Sequence, residues 1–279
     1  MKLGVTIFAT DRTISPVELA REAEGRGFSS LYLPEHTHIP VSRETPPPTG
    51  ESVLPDAYAR TLDPLAALAA AGAVTRSIRL GTGVCLAAQR DPIVTAKAVA
   101  TVDTLSGGRF VFGVGYGWNR EEMANHGVGY GHRRDRLREH VLAMRELWRR
   151  EVAHYSGDFV RFAPSWSWPK PPSGPQVLIG GAAGPRLFAH IAEFADGWLP
   201  FGGAGVKAAL PALARAAETA GRDPAALTVI PFGTLPTAAK LDYYARMGIT
   251  EVVARLPAGS REDVLPALDA LARDYLDGR

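Results

Sequence analysis

The residues best suited to chemistry lie where apolar runs end. Leu31-Tyr32-Leu33-Pro34 leads into Glu35-His36-Thr37-His38. Three further runs end in glycine: Leu80-Gly81-Thr82-Gly83-Val84, Arg109-Phe110-Val111-Phe112-Gly113-Val114-Gly115-Tyr116-Gly117-Trp118-Asn119, and Val177-Leu178-Ile179-Gly180-Gly181. A strand whose last turn lacks side chains lets something flat or phosphorylated approach the backbone. Three such endings point to one cofactor site assembled from several strands.

His36 admits three readings. Beside Glu35, which can orient its ring, it is a general acid/base. With His38 it forms the His-x-His pattern of a metal site, and at a barrel rim it can be purely structural. The metal reading lacks further ligands. The last strand-like run ends Arg255-Leu256-Pro257, and His126, His132, His140, His154 and His190 fall outside the predicted strand ends. No metal is therefore expected. Cys85 reads as core packing.

Gly180-Gly181-Ala182-Ala183-Gly184 opens a helix with Pro185 in its first turn. Free N–H groups and the helix dipole suit a phosphate there, with Arg186 adding charge. An ordinary glycine turn is the alternative. The run at Gly113 is not a dinucleotide fingerprint: G-x-G-x-x-G begun at Gly113 meets Trp118, and begun at Gly115 meets Arg120. A flat ring against these glycines, with Asn119 bonding its edge, fits better. Asn119 as a helix cap is the other reading. Glu121, Glu122, Arg133 and Arg134 read as a solvated helix or loop face, with contact to a substrate carboxylate as the other reading. Trp166 and Trp168 read as packing of a hairpin onto the barrel or as an aromatic wall for a substrate.

These residues need an alternating scaffold. Strand candidates fall at 3–9, 29–34, 78–84, 109–115, 176–180, 196–201, 227–232 and 251–256. Helix candidates fall at 15–26, 62–75, 91–105, 134–150, 185–195, 205–220, 236–247 and 261–275. Ser15-Pro16-Val17-Glu18 has the cap, proline and acidic residue of a helix start, and Gly27 closes that helix. The strands are apolar on both faces, as in a parallel sheet covered by helices. The alternation predicts an α/β fold, a single (β/α)8 TIM barrel over 1–279, with its site at the carboxyl ends of the strands. Two stretches interrupt it. One is a long Pro-rich loop at 36–61, between the second strand and the second helix. The other is 151–175, a small hairpin before the fifth strand followed by Trp166-Ser167-Trp168-Pro169-Lys170-Pro171-Pro172.

Composition narrows the partners. The 279 residues are 46% hydrophobic, enough for a large core, and carry a formal net charge of +2. No half is strongly basic, so nothing points to nucleic acid or an anionic membrane. One cysteine excludes disulfide frameworks and cysteine-based zinc sites. With no leader-like start and no apolar stretch of membrane-spanning length, the expectation is a soluble cytoplasmic protein.

The chain resembles the luciferase-like monooxygenase superfamily, and within it the coenzyme F420-dependent oxidoreductases. The likeness is carried by Arg79-Leu80-Gly81-Thr82-Gly83-Val84, Asp91-Pro92-Ile93-Val94, Ala96-Lys97, Ala100-Thr101-Val102-Asp103, Leu105-Ser106-Gly107-Gly108-Arg109, Gly113-Val114-Gly115 and Gly117-Trp118-Asn119 with Glu121. Leu31 to His36 and Ile179-Gly180-Gly181 extend it, so that it covers residues 1–200 or so. The resemblance implies a barrel with a flavin or deazaflavin at its mouth. It also implies a bulge in the third strand, with a non-proline cis peptide behind the ring at Gly83-Val84, next to Thr82. The family's phosphate site maps to Gly180, Gly181, Ala182 and Ala183, its ring-edge contacts to Gly113, Gly115 and Asn119, and its catalytic histidine to His36.

Two features depart from the family pattern. Many relatives carry Asp where this chain has Glu35. The stretch 234–248 is short, which implies a wide, open substrate pocket. The resemblance also implies dimerisation through barrel helices, and the Ala-rich helix at 65–73 suits it. The whole pattern reads as an F420-dependent enzyme passing a hydride between the deazaflavin and a small organic substrate. An FMN-dependent monooxygenase and a non-catalytic flavin- or deazaflavin-binding protein are the alternatives.

Overall fold

The computed structural model describes residues 1–47, 50, 53–171 and 174–276. Pro48 and Thr49 of the Pro-rich loop and Pro172 of the second interruption lie outside the described residues. Among the described residues nine strands form one parallel sheet: β1 (Lys2–Thr6), β2 (Ser30–Leu33), β3 (Arg79–Thr82), β4 (Phe110–Gly115), β7 (Gln176–Gly180), β8 (Gly197–Leu199), β9 (Thr228–Val229), β10 (Phe232–Thr234) and β11 (Glu251–Arg255). An antiparallel hairpin, β5 (Ala153–Ser156) with β6 (Arg161–Ser165), stands apart.

The sheet closes on itself. β1 pairs with β2 on one side and β11 on the other, β8 pairs with β9, and β10 pairs with β11. β9 and β10 are halves of one stave. The expected strand at 227–232 is interrupted at Ile230-Pro231, because proline has no N–H for the ladder. The neighbouring amides carry the pairing across the break: Ile230 N donates to Trp198 O, Phe232 N to Pro200 O, and Val253 N to Pro231 O. Counting that stave once gives the (β/α)8 barrel.

The helices are α1 (Pro16–Gly25), α2 (Pro64–Val74), α3 (Pro92–Leu105), α4 (Arg120–Asn125), α5 (Arg133–Arg149), α6 (Pro185–Phe194), α7 (Val206–Thr219), α8 (Ala238–Ala245) and α9 (Arg261–Tyr275). Their starts follow from side-chain chemistry. Ser15, Asp63 and Asp91 accept from the amides of Val17, Ala66 and Val94, with proline in each first turn. Ser260 and Asp263 form a reciprocal capping box. The short helix α4 adds to the alternation and lies beside the mouth. Among the described residues no helix is long and apolar enough to cross a membrane.

Two cores divide the apolar side chains. The larger lies between sheet and helices and includes Leu19, Leu68, Val99, Phe112, Met144 and Ile191. The smaller fills the barrel with Tyr32, Val111, Leu178, Leu199, Ile230, Phe232 and Val253, and Val84 packs against it. The interior is therefore a plug, and only its upper end is available to a ligand.

Arg109 and Glu24 show how the lower end is tied. Arg109 donates to the carbonyls of Gly72, Thr75 and Ile78. One Glu24 oxygen accepts from the amides of Arg76, Ser77 and Ile78 and from the Ser77 hydroxyl. Burial pushes the Glu24 carboxyl up, but the amides of Ile78, Ser77 and Arg76 outweigh it and bring its pKa from 4.5 down to about 2. A folded-state pKa below the unfolded one gives stability that is present above pH 4.5 and lost as pH falls towards 2. Glu24→Gln should cost about 1–3 kcal/mol at neutral pH. Its melting temperature should also fall less between pH 4.5 and 2 than that of the wild type, as read by circular dichroism. Parallel pH profiles would show that Glu24 is not the group responsible.

Candidate active site

His36 leaves the end of β2 and turns into the mouth, only 8% exposed. Its backbone N–H donates to Thr61 Oγ1 and its carbonyl accepts from the same hydroxyl, which pins both ends of the 36–61 loop together. Nδ1 lies 2.7 Å from Glu122 Oε2, and Trp118 Nε1 donates to Nε2 at 3.3 Å. A carboxylate only accepts and an indole N–H only donates, so the pair selects the neutral tautomer with hydrogen on Nδ1 and a lone pair on Nε2. The rings of Tyr58 and Trp118 flank the imidazole at 5.3 and 5.6 Å.

Glu122 is the residue the sequence placed wrongly. Read there as part of a solvated face, it is fully buried. Its Oε1 accepts from the Thr37 amide at 3.0 Å while Oε2 faces His36. Glu35, expected to orient the His36 ring, does something else. Its oxygens accept from the Leu86 amide at 2.6 Å and from Arg90 Nε at 2.6 Å. Consecutive residues leaving a strand diverge, so Glu35 faces the segment after β3 while His36 faces the mouth. Arg90 also pairs with Asp63, so Glu35 ties β2 to the start of α2 as well. His38 turns away from His36, bonding Asn125 Nδ2, and its ring lies 5.4 Å from that of His126. Among the described residues no cluster of three or more His, Cys, Asp or Glu could hold a metal.

The peptide Gly83–Val84 is cis, and both residues stay partly exposed while Thr82 and Cys85 on either side are buried. Thr82 Oγ1 donates to Gly113 O at 2.7 Å, and Cys85 N donates to the same carbonyl at 2.8 Å. Burial, then the neighbouring Glu35, pushes the Cys85 thiol well up, so it stays protonated. The strand-end glycines, read from sequence as bare backbone for a ligand, are covered by the protein itself. A Cβ on Gly83 would meet Phe232 at 2.3 Å, one on Gly113 would meet Thr82 O at 2.0 Å, and those on Gly115 and Gly180 would meet Val84 at 2.4 and 2.6 Å. The clearance seats Val84 as the floor of the mouth. Asn119 is fully buried; its Oδ1 caps α4 by accepting from Glu121 and Glu122 N–H, and its Nδ2 has no partner among the described residues.

The loop after β7 has a different character. Ala182 and Ala183 are exposed, Gly181 and Gly184 partly so, and a Cβ on Gly184 would meet nothing within 4 Å. α6 then begins at Pro185 with no side chain capping its amides. Arg186, expected to add charge here, pairs with Asp135 at 2.8 Å. The 36–61 loop is latched across the rim: Glu121 accepts from the amides of Glu44 and Thr45 and from the Thr45 hydroxyl. Trp166 and Trp168, expected to pack the hairpin or wall a substrate, are 74% and 58% exposed. Lys97 of α3 bonds the Trp168 carbonyl, and Lys170 bonds carbonyls at the end of α5. Those contacts place the tryptophans on the flank of the barrel, where they meet water.

A family model described as luciferase-like monooxygenase matches residues 10–247. The chain belongs to that family. An uncharacterised protein of Mycobacterium tuberculosis is 45% identical over 277 residues, covering 98% of each chain. The F420-dependent hydroxymycolic acid dehydrogenase of the same organism is 29% identical over 224 residues, 79% of this chain and 57% of the relative. The structure of an F420-dependent secondary alcohol dehydrogenase in complex with an F420-acetone adduct superposes with a TM-score of 0.78 over 100% of both chains at 18% identity, which shows shared fold.

In this luciferase-like chain, three residues of the His36 environment had no assigned role in the sequence: Glu122, Trp118 and Tyr58. A usable signal existed for Glu122. Asn119 and Glu122 have the spacing of a cap and its third helical residue, so a helix must start within reach of the mouth and aim a first-turn carboxylate at it. Glu122→Gln should cost about 1–3 kcal/mol of stability. It should also leave His36 as a mixture of ring tautomers, resolved by 15N NMR of the imidazole. A spectrum still showing the Nδ1-protonated form alone would remove Glu122 from that role.

Proposed function

We propose that this chain is an F420-dependent oxidoreductase that passes a hydride between the deazaflavin and a small organic substrate. The observation that carries the reading is His36: an almost buried imidazole at the mouth, held on Nδ1 by Glu122 so that Nε2 is the proton-transfer atom. The 29% identical F420-dependent dehydrogenase supports the choice of cofactor.

The residues at the mouth fit such a group. Val84 and the cis Gly83–Val84 peptide make a flat, partly exposed floor, and α6 opens with uncapped amides beside the exposed Ala182 and Ala183. Gly180 to Ala183 and the first turn of α6 would hold the phosphate, where amide dipoles favour negative charge. Thr82, Gly83 and Val84 would lie behind the ring, and the spare Asn119 Nδ2–H is a donor for its edge. Gly113 and Gly115 would act indirectly, by seating Thr82 and Val84. When bound, the deazaflavin supplies or accepts a hydride at ring carbon.

The protein's share is proton transfer and positioning. In the reducing direction, protonated His36 gives its Nε2 proton to the substrate oxygen. In the oxidising direction, neutral Nε2 takes the hydroxyl proton. Glu122 holds Nδ1–H throughout and offsets the positive charge the ring acquires. Trp118 donates to Nε2 at rest, so its indole must turn aside where a substrate oxygen bonds. Tyr58 and the latched loop limit water around the ring.

Fluorescence titration with F420 and FMN tests the cofactor. Saturable F420 binding is expected, and preferred binding of FMN would replace this reading with the monooxygenase one. His36→Ala should keep its F420 affinity and lose at least about 100-fold in hydride transfer to a panel of ketones, followed by absorbance of the oxidised ring. Undiminished turnover would exclude His36 as the acid/base. F420 binding with no turnover on any substrate would favour a carrier.

A further inference from the structure

We infer that His126 is a positioning residue for His36: the protonation of His126 decides which way the Thr37 hydroxyl turns, and so how much of its charge Glu122 has left for the His36 ring. This coupling bears on the reaction only through the functional reading above, in which His36 is the acid/base. Three groups share the hydroxyl. Thr37 Oγ1 lies 2.7 Å from His126 Nε2, 3.0 Å from His38 Nδ1 and 3.4 Å from Glu122 Oε1.

Donor counting gives the direction of each bond. Asn125 Nδ2 lies 2.9 Å from His38 Nε2. An amide NH2 only donates, so neutral His38 carries its hydrogen on Nδ1 and gives it to Thr37 Oγ1. The hydroxyl has one hydrogen of its own and two acceptors for it. While His126 is neutral, with its lone pair on Nε2, the 2.7 Å contact takes that hydrogen and the 3.4 Å contact to Glu122 stays weak. A proton on His126 Nε2 turns that atom into a donor. Thr37 Oγ1 then accepts from both imidazoles, and its hydrogen swings to Glu122 Oε1.

The inner end of this chain is the buried pair. Glu122 Oε1 already accepts from the Thr37 amide, and Oε2 holds His36 Nδ1 at 2.7 Å. Another donor on Oε1, with a positive charge on His126 behind it, stabilises the carboxylate without help from His36. The His36 cation then gains less from Glu122, and the ring takes a proton less readily. Glu122 has no exposed surface and His36 is almost buried, whereas Thr37 is exposed and His38 and His126 are half-buried. Solvent protons therefore reach the outer histidines directly. Burial lowers the His126 pKa from 6.5, and His38 and Arg90 lower it as well, against the pull of Glu122 and Glu35. Around His36 itself stand Glu122 and Tyr58, and Arg43 lies 5.9 Å from the Trp118 ring.

The test is 15N NMR of the full chain labelled at histidine, between about pH 5 and about pH 9, with no cofactor added. Wild type is compared with His126→Gln, Thr37→Val, Thr37→Ala and Thr37→Ser after thermal melts establish folding. Every Thr37 variant keeps the backbone N–H that Glu122 accepts. Neutral His126 should carry its hydrogen on Nδ1. The His36 ring signals should show a second inflection where His126 titrates, lost in His126→Gln, Thr37→Val and Thr37→Ala and retained in Thr37→Ser. In turnover with F420, the plot of log kcat against pH should lose and keep its step in the same variants. Identical His36 curves in wild type and His126→Gln would overturn the inference, as would a neutral His126 with hydrogen on Nε2. An inflection that survives in Thr37→Val and Thr37→Ala would disprove the hydroxyl route. If F420 does not bind at all, the functional reading fails, and the cofactor-free titration still decides the coupling.

Discussion

A carboxylate with no exposed surface persists only when its charge and lone pairs are answered by donors. Glu122 is that group here, and the mouth is arranged around it. Its two oxygens hold the His36 ring and the Thr37 amide, residues that directly follow β2, while its own amide is capped by Asn119 after β4. One buried charge thus joins two staves of the barrel and sets the tautomer of the imidazole between them. The 36–61 loop is fastened to the same neighbourhood through Thr61 on His36 and Glu121 on Thr45.

The floor of the mouth follows from a second constraint, the space inside an eight-stave barrel. Tyr32, Phe232, Leu199 and Val84 point inward, and they fit because the facing positions are glycine. Tyr32 packs where Gly81 has no Cβ, its ring edge-on to Phe232 at a centroid distance of 5.5 Å. Val84 in turn covers Gly115 and Gly180. The glycines lower the cost of filling the barrel.

Charge is divided across the mouth. On the β2 side, Glu35 and Glu122 are buried and bound by donors, and the His36 ring stands between Glu122 and Trp118. On the side of β4 and α6, Arg186 pairs with Asp135, and no side chain among the described residues caps the α6 amides.

The alternation of apolar runs and helical segments, the capping residues and the position of His36 at a strand end could all be read along the chain, because each depends on neighbours within a few residues. The glycine-rich third-strand motif likewise marked Gly83-Val84, which is cis in the fold. Reading failed where partners are distant. Glu35 is adjacent to His36 but leaves the strand on the other side, whereas Glu122 lies 86 positions along and comes into contact only when β2 and α4 meet at the mouth. Glycine letters revealed missing side chains but not that Val84 and Phe232 take their place, and Pro231 was passed over inside an apolar run although it splits the stave. Local order follows from short-range sterics and hydrogen bonds written in consecutive residues. Which carboxylate serves the histidine, and what fills each gap, depends on how closed strands bring remote segments within a few ångströms.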